Sequence, residues 1–293
     1  LCLTFACAAA YLWAGMTPFD AICHAFSTVA IGGFSTHDAS MGFFDDHSIL
    51  AVCSIFMFIS AINFGIHFIV WRRRSLQPYR DDSETRFFFS VLTACVAVTV
   101  IYLVLTKTYS PNEGLVVGTF HAISIATTTG FTTTSFASWP GFLPIMLVLF
   151  SFMGGCVGST GGGMKAMRIM LIFKQGIREM RQLLHPHAVI PLKVGNRRVE
   201  ATVVSAVWSF FAVYTLAFVT IMLCLMGAGM DFLTAFSAVA AAINNLGPGL
   251  GEVANNYSAI GGASQGVLCF AMLLGRLEVF TLLVLFTPMF WRD

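Results

Sequence analysis

The stretch His121–Thr134 reads HAISIATTTGFTTT, with six threonines, one glycine and no charge. It lies between two runs apolar enough to live in lipid, Phe87–Leu105 and Leu143–Phe173. Hydrocarbon offers no partner to a backbone N–H or C=O, so non-helical backbone at that depth must be buried in protein or line a watery cavity. The ten or so apolar residues ahead of the stretch are too few to cross a bilayer. They read as a half-helix that enters the membrane and turns back.

The same pattern occurs three times. CHAFSTVAIGGFST (Cys23–Thr36) aligns without a gap on FHAISIATTTGFTT (Phe120–Thr133), matching His24 to His121, Ser27 to Ser124, Gly33 to Gly130 and Phe34 to Phe131. FSAVAAAINNLGPG (Phe236–Gly249) is a looser third copy, with Gly247 at the glycine position and one extra residue between Phe and Gly. Repetition of this kind points to a chain assembled from copies of one unit. Each copy is preceded by an apolar run (Leu1–Met16, Phe87–Leu105, Thr202–Met226) and followed by another (Ser48–Trp71, Leu143–Phe173, Gly266–Phe290). Caps or acidic starts at Thr17/Asp20, Asn112/Glu113 and Asp231 open the half-helices. The unit is span, half-helix, polar loop, span, and the chain divides into such units over 1–75, 76–175 and 176–293.

Composition agrees. Hydrophobic residues are 57% of the chain, charged residues 10%, and mean hydropathy is +0.81; soluble domains carry about 25% charged residues. At ~20 residues per spanning helix, roughly six spans fit. The net charge of +2 leaves no electrostatic footprint for nucleic acid. Eight cysteines show no CxxC and no His spacing suited to zinc, and read as small buried hydrophobes. No Ser/His/Asp arrangement, paired carboxylate or metal cluster suggests an enzyme, and His24 and His121 read as supports for their half-helices. The opening LCLTFACAAAYLWAG has neither an initiator Met nor a basic n-region, so it reads as the middle of a longer protein rather than a signal peptide.

Charge distribution gives an orientation. Arg72, Arg73, Arg74, Arg80, Arg86, Lys174, Arg178, Arg181, Lys193, Arg197, Arg198 and Arg292 all follow a second span or precede a first one. The opposite loops hold one basic residue, Lys107, against Asp38, Asp45, Asp46, Glu113, Asp231 and Glu252. By the positive-inside rule the basic loops are cytoplasmic and the threonine-glycine loops hang from the outside. A half-helix running inward then aims its C-terminal end, the negative pole of its dipole, at the membrane centre, which favours a cation. Rings of backbone carbonyls can replace the hydration shell of potassium. Glycine admits the positive φ that aiming successive carbonyls requires, and threonine hydroxyls can hold such a loop from behind. The alternative is a Ser/Thr-rich connecting loop, which three copies with matched flanks disfavour.

A second stretch, FMGGCVGSTGGGMKAMRIM (Phe152–Met170), interrupts what would be one span with six glycines in ten residues. Each costs a helix ~1 kcal/mol relative to Ala. The spacing of a phosphate loop fails, because Met164 separates Gly163 from Lys165. Lys165 and Arg276 are cations at membrane depth, where charge is expensive without a function.

Taken with their flanks and order, STVAIGGFST, SIATTTGFTTT and NNLGPGLGE resemble the second, third and fourth repeats of the TrkH/KtrB/HKT superfamily of potassium transporters, most closely its bacterial TrkH-type members. The resemblance covers essentially the whole chain. It implies an all-α polytopic membrane protein of span, re-entrant half-helix, filter loop and span units around a pseudo-fourfold pore. The family has four units and this chain three, so the chain is expected to be a fragment lacking the first. The resemblance places ion-lining carbonyls at Ile31, Gly32 and Gly33, at Thr128, Thr129 and Gly130, and at Asn245, Leu246 and Gly247. It makes the interrupted span a gate beneath the filter, with Gly154, Gly155, Gly158, Gly161, Gly162, Gly163 and Lys165, and turns Arg276 toward the pore. It further implies potassium ion as cargo with no cofactor, a bacterial plasma (inner) membrane location, and a homodimer. Arg72–Arg86 and Lys174–Arg198 would be docking faces for a cytosolic nucleotide-binding subunit of TrkA/KtrA type. A secondary carrier for an organic solute, built on broken helices, is the rival; it would need specific polar side chains where these loops offer mainly backbone.

Overall fold

The computed structural model describes residues 1–195, 197–277, 279–285 and 288–291. Glu278 and Arg292 lie outside the described residues. Thirteen α-helices are described: α1 (Cys2–Trp13), α2 (Pro18–Val29), α3 (His47–Ser60), α4 (Phe64–Arg73), α5 (Gln77–Asp81), α6 (Ser83–Leu105), α7 (Pro111–Ala126), α8 (Leu143–Ser151), α9 (Ala166–Leu184), α10 (Ala201–Gly227), α11 (Phe232–Ile243), α12 (Gly262–Arg276) and α13 (Val279–Leu285). A two-residue ribbon pairs Lys193 with Arg198 and Val194 with Arg197.

Two helices, α6 with 23 residues and α10 with 27, are each long and apolar enough to cross a membrane alone. At 1.5 Å per residue they are ~35 and ~40 Å long. Both bury one stripe and expose large apolar side chains elsewhere, such as Phe89 and Ile101 on α6 and Leu216 and Leu223 on α10. That is the pattern of a helix solvated by lipid.

The other expected spans are interrupted. Ser48–Trp71 is not one helix: α3 and α4 meet at 94°. The break sits at Asn63, whose Oδ1 accepts the Gly65 N–H at 2.7 Å and so caps α4. Leu143–Phe173 is α8 and α9 with the glycine-rich stretch between them, and α9 runs on to Leu184, past position 175. The last run breaks at Leu277 between α12 and α13.

The half-helices form the inner layer. Helix α2 packs on α1 and α3, α7 on α6 and α8, and α11 on α10 and α12. Across units, α7 meets α3 and α11 meets α8. Polar caps fix where each begins. Thr17 accepts from Asp20 N at 3.2 Å, Ser110 from Glu113 N at 3.4 Å, and Asp231 from Leu233 N and Thr234 N at 3.0 and 3.1 Å. Ser110, not Asn112, is the cap of α7, because Pro111 takes the first helical position.

Candidate functional site

All three half-helices end in one backbone turn. The N–H of Ile31, Thr128 and Asn245 bonds the carbonyl three residues back, on Thr28, Ile125 and Ala242, at 3.0–3.1 Å. The next N–H, of Gly32, Thr129 and Leu246, bonds the carbonyl five back, on Ser27, Ser124 and Ala241, at 2.8 Å. This pair of bonds is the Schellman motif, which needs a left-handed residue at its pivot, usually glycine. Here the pivots are Ile31 (φ 52), Thr128 (φ 67) and Asn245 (φ 56). Two residues on, Gly33, Gly130 and Gly247 turn left-handed again, at φ 69, 85 and 100. The third copy, looser in sequence, thus has the same register as the other two.

The turns lie against one another in chain order. A Cβ on Gly33 would collide with the Thr129 carbonyl, and one on Gly130 with the Leu246 carbonyl. Gly247 would meet nothing within 4 Å. Ile31, Thr128, Thr129 and Leu246 are buried, Gly32, Gly33, Gly130 and Asn245 half-buried, and Gly247 exposed. Behind the turns, His24 and His121 tie each half-helix to the chain leaving its loop. Their Nδ1 atoms bond Asp20 O at 2.8 Å and Val117 O at 2.9 Å; their Nε2 atoms lie 2.9 Å from Ser35 Oγ and 3.1 Å from Thr134 O. Both are fully buried supports. In the third unit Ser237 ties the half-helix to the chain leaving the loop, its Oγ accepting the Leu250 N–H at 2.8 Å. Asn244 joins the end of that half-helix to α10 and α8: its Oδ1 accepts from the Tyr214 hydroxyl at 2.6 Å, and its Nδ2 donates to Ser151 Oγ at 3.0 Å.

The glycine-rich loop lies directly on the helix ends of all three turns. Thr160 Oγ1 donates to Val29 O at 2.9 Å, and Gly162 N donates to Thr128 Oγ1 at 2.7 Å. A Cβ on Gly162 would collide with the Asn244 carbonyl, and one on Gly161 would sit 3.2 Å from that of Thr127. Gly154, Gly158 and Gly163 are left-handed, as is Lys165 (φ 74), which opens α9 and whose Nζ donates to Gly161 O. Gly155 is backed by the Ala61 carbonyl and Gly158 by the Asn63 amide. Asn63 both caps α4 and touches this loop.

Beneath loop and turns lies a cavity of about 380 Å³, walled by Thr160–Gly163, Lys165, Arg168, Tyr214 and Arg276. Arg276, the last residue of α12, is exposed there. Arg168, unremarked in the sequence, stacks its guanidinium 4.0 Å from the Phe210 ring centroid. Among the described residues no group of three or more His, Cys, Asp or Glu could hold a metal ion. Sequence reasoning also missed Glu84, Thr160, Tyr214 and Asn244. Their signal is weak: single polar residues in apolar surroundings.

Fold and site define a helical membrane protein of repeated span and half-helix units. The family model for TrkH, a cation transport protein, matches residues 1–293, and the chain belongs to that family. The Trk system potassium uptake proteins TrkH of Halomonas elongata and Escherichia coli K12 are 51% and 50% identical to it, each over 99% of this chain. The crystal structure of the potassium transporter TrkH from Vibrio parahaemolyticus superposes with a TM-score of 0.95 at 52% identity, covering 99% of this chain and 63% of that one. The chain spans 60% of the length of those two curated relatives.

Proposed function

We infer that this chain supplies three walls of a potassium pathway for uptake across the bacterial inner membrane, with no enzymatic chemistry. One observation carries the reading: the same doubly left-handed turn closes three half-helices and stacks glycine on neighbouring carbonyl in chain order. Such a stack is a carbonyl ladder at the negative poles of three helix dipoles. The ion-lining carbonyls are then those of Ile31, Gly32, Gly33, Thr128, Thr129, Gly130, Asn245, Leu246 and Gly247. The glycine-rich loop is the gate, because it sits across the inner ends of the same helices. Lys165 and Arg276 oppose cation passage at the inner mouth. The fourfold closure that the family resemblance implies needs one further unit beside Gly247.

The partners follow the same way. Phe173, Ile177, Met180 and Leu184 are exposed on α9 at spacings of four, three and four, the seam by which two helices pair; this supports a homodimer. The basic segments Arg72–Arg86 and Lys174–Arg198 support a cytosolic face that docks a regulatory subunit of TrkA/KtrA type, with the filter loops outside. The test is flux into liposomes carrying the full-length protein. Rubidium and potassium should pass, sodium should pass poorly, and a neutral organic solute not at all. Passage of the organic solute would favour a carrier and defeat this reading.

A further inference from the structure

Six glycines give the gate loop almost no side chains with which to hold itself in place, so what fixes it must come from outside. Its two arms are bonded to each other by Met164 N to Phe152 O at 2.9 Å and by Ala166 N to Gly155 O at 3.0 Å. Just beyond, one carboxylate oxygen takes both arms: Glu84 Oε1 accepts the N–H of Val157 at 2.7 Å and of Met167 at 3.1 Å. Glu84 lies in the first turn of α6, is 3% exposed, and stands at the positive end of that helix's dipole. A buried charge is retained only where it is paired and hydrogen-bonded. This one spends its bonds on the backbone of the loop.

We propose that Glu84 is the latch of the gate: a positioning residue that clamps both ends of the glycine-rich loop and so presses its apex against the filter turns. The inference rests on the reading of that loop as the gate. The clamp closes a short mechanical path. Between Val157 and Met167 the chain reaches up to Thr160 and Gly162, which bond Val29 and Thr128. On either side of the clamped Val157 the loop meets the break between α3 and α4: Cys156 N donates to Ala61 O at 2.8 Å, and Gly158 O accepts from Phe64 N at 3.1 Å. Glu84 itself follows the segment of α4, its C-cap Arg74 and α5, which carries Arg72, Arg73, Arg74 and Arg80. Displacing that basic segment therefore moves the latch and the loop together.

Cys156 provides a readout apart from flux, being fully buried inside the loop. Glu84→Ala, Glu84→Asp and Glu84→Gln are made in the full-length protein. Rubidium flux per folded molecule is measured beside the labelling rate of Cys156 by a thiol reagent, read by peptide mass. Alanine should raise both at least fivefold. Aspartate, one methylene too short to reach both amides, should fall between. Glutamine, which keeps a carbonyl acceptor, should stay within twofold of the unmodified protein. Faster labelling of the alanine variant with unchanged flux would support the latch and overturn the gate reading on which it rests. If the alanine variant fails to fold, the aspartate variant decides. Wild-type labelling and flux in a folded alanine or aspartate variant would overturn the latch.

Discussion

Replacing Gly130 by alanine perturbs the filter at one atom. Gly130 sits at φ +85, where an L side chain costs ~1–2 kcal/mol. The added Cβ would also collide with the Leu246 carbonyl and lie 3.1 Å from Pro248 Cδ. A backbone carbonyl and a closed proline ring offer no flexible end to yield, so that carbonyl must shift. A tenfold loss of potassium over sodium selectivity corresponds to only ~1.4 kcal/mol, less than the sum of the two strains. The control is Gly15→Ala. Gly15 has a comparable φ of +101 but nothing within 4 Å of its Cβ position, so it carries the backbone penalty without the collision. Full-length variants are expressed in a potassium-uptake-deficient strain, and initial potassium and sodium uptake are measured per unit of membrane-inserted protein. Gly130→Ala should lower the ratio at least tenfold, with Gly15→Ala within twofold of the unmodified protein. Equal ratios for the two variants would show that the Gly130–Leu246 contact does not set selectivity.

Three further outcomes are expected. Thr128→Val keeps shape but removes the acceptor of the Gly162 N–H, leaving a half-buried donor without that partner at a cost of ~1 kcal/mol; rubidium flux per molecule should rise about fivefold at unchanged yield. Arg276→Ala removes a cation from the wall of the inner cavity, and since unit charges 4 Å apart repel by ~4 kcal/mol at an effective dielectric of 20 before screening, flux should rise several-fold, whereas a merely structural arginine would on removal reduce folded protein and flux alike. Asp20 accepts from Thr36 at 2.6 Å and Thr17 at 2.7 Å, bonds that hold its carboxyl below the usual carboxylate range. A lowered native value gives stability that is full above the unfolded value near ~3.9 and is lost as pH falls through the native one. Asp20→Asn should therefore flatten the fall in melting temperature between pH 5 and 3.

Much of this was legible in the sequence because glycine spacing reports backbone directly. Gly33, Gly130 and Gly247 stand two residues past Ile31, Thr128 and Asn245, so the extra residue of the third copy falls in the helix ahead of the turn. The glycine-rich break between α8 and α9 was legible for the same reason. The bend at Asn63 was not, since an apolar run does not reveal that one amide inside it will cap a new helix. Nor was Glu84, which reads locally as an acidic residue in a helix's first turn. Its two partners lie 73 and 83 residues away. Long-range polar pairs leave no periodicity to read.

The three turns also differ in what holds them, and this bears on where function resides. Ile31 and Thr128 are β-branched residues in a left-handed conformation, an uncommon and costly state. Such strain persists only where surroundings over-determine it. Ile31 packs into a cluster with Phe88, Ala61 and Cys156, tying the first turn to the gate loop's own core. Thr128 is pinned by Gly162, and the loop it pivots is held by Ser124 Oγ donating to Phe131 O at 2.7 Å. Asn245, which tolerates the left-handed region without branching, is half-buried, and its neighbour Asn244 carries the packing through Tyr214 and Ser151. Three different sets of side chains thus enforce one backbone path. What the units share is carbonyl direction rather than side-chain chemistry, as expected if the cargo is a bare cation that needs oxygen ligands at fixed spacing. The gate loop touches the helix end behind each turn, so a change in its seat reaches all three walls at once. Filter and gate variants at Thr128, Gly162 and Glu84 should accordingly couple when combined, as residues sharing one hydrogen-bond network do.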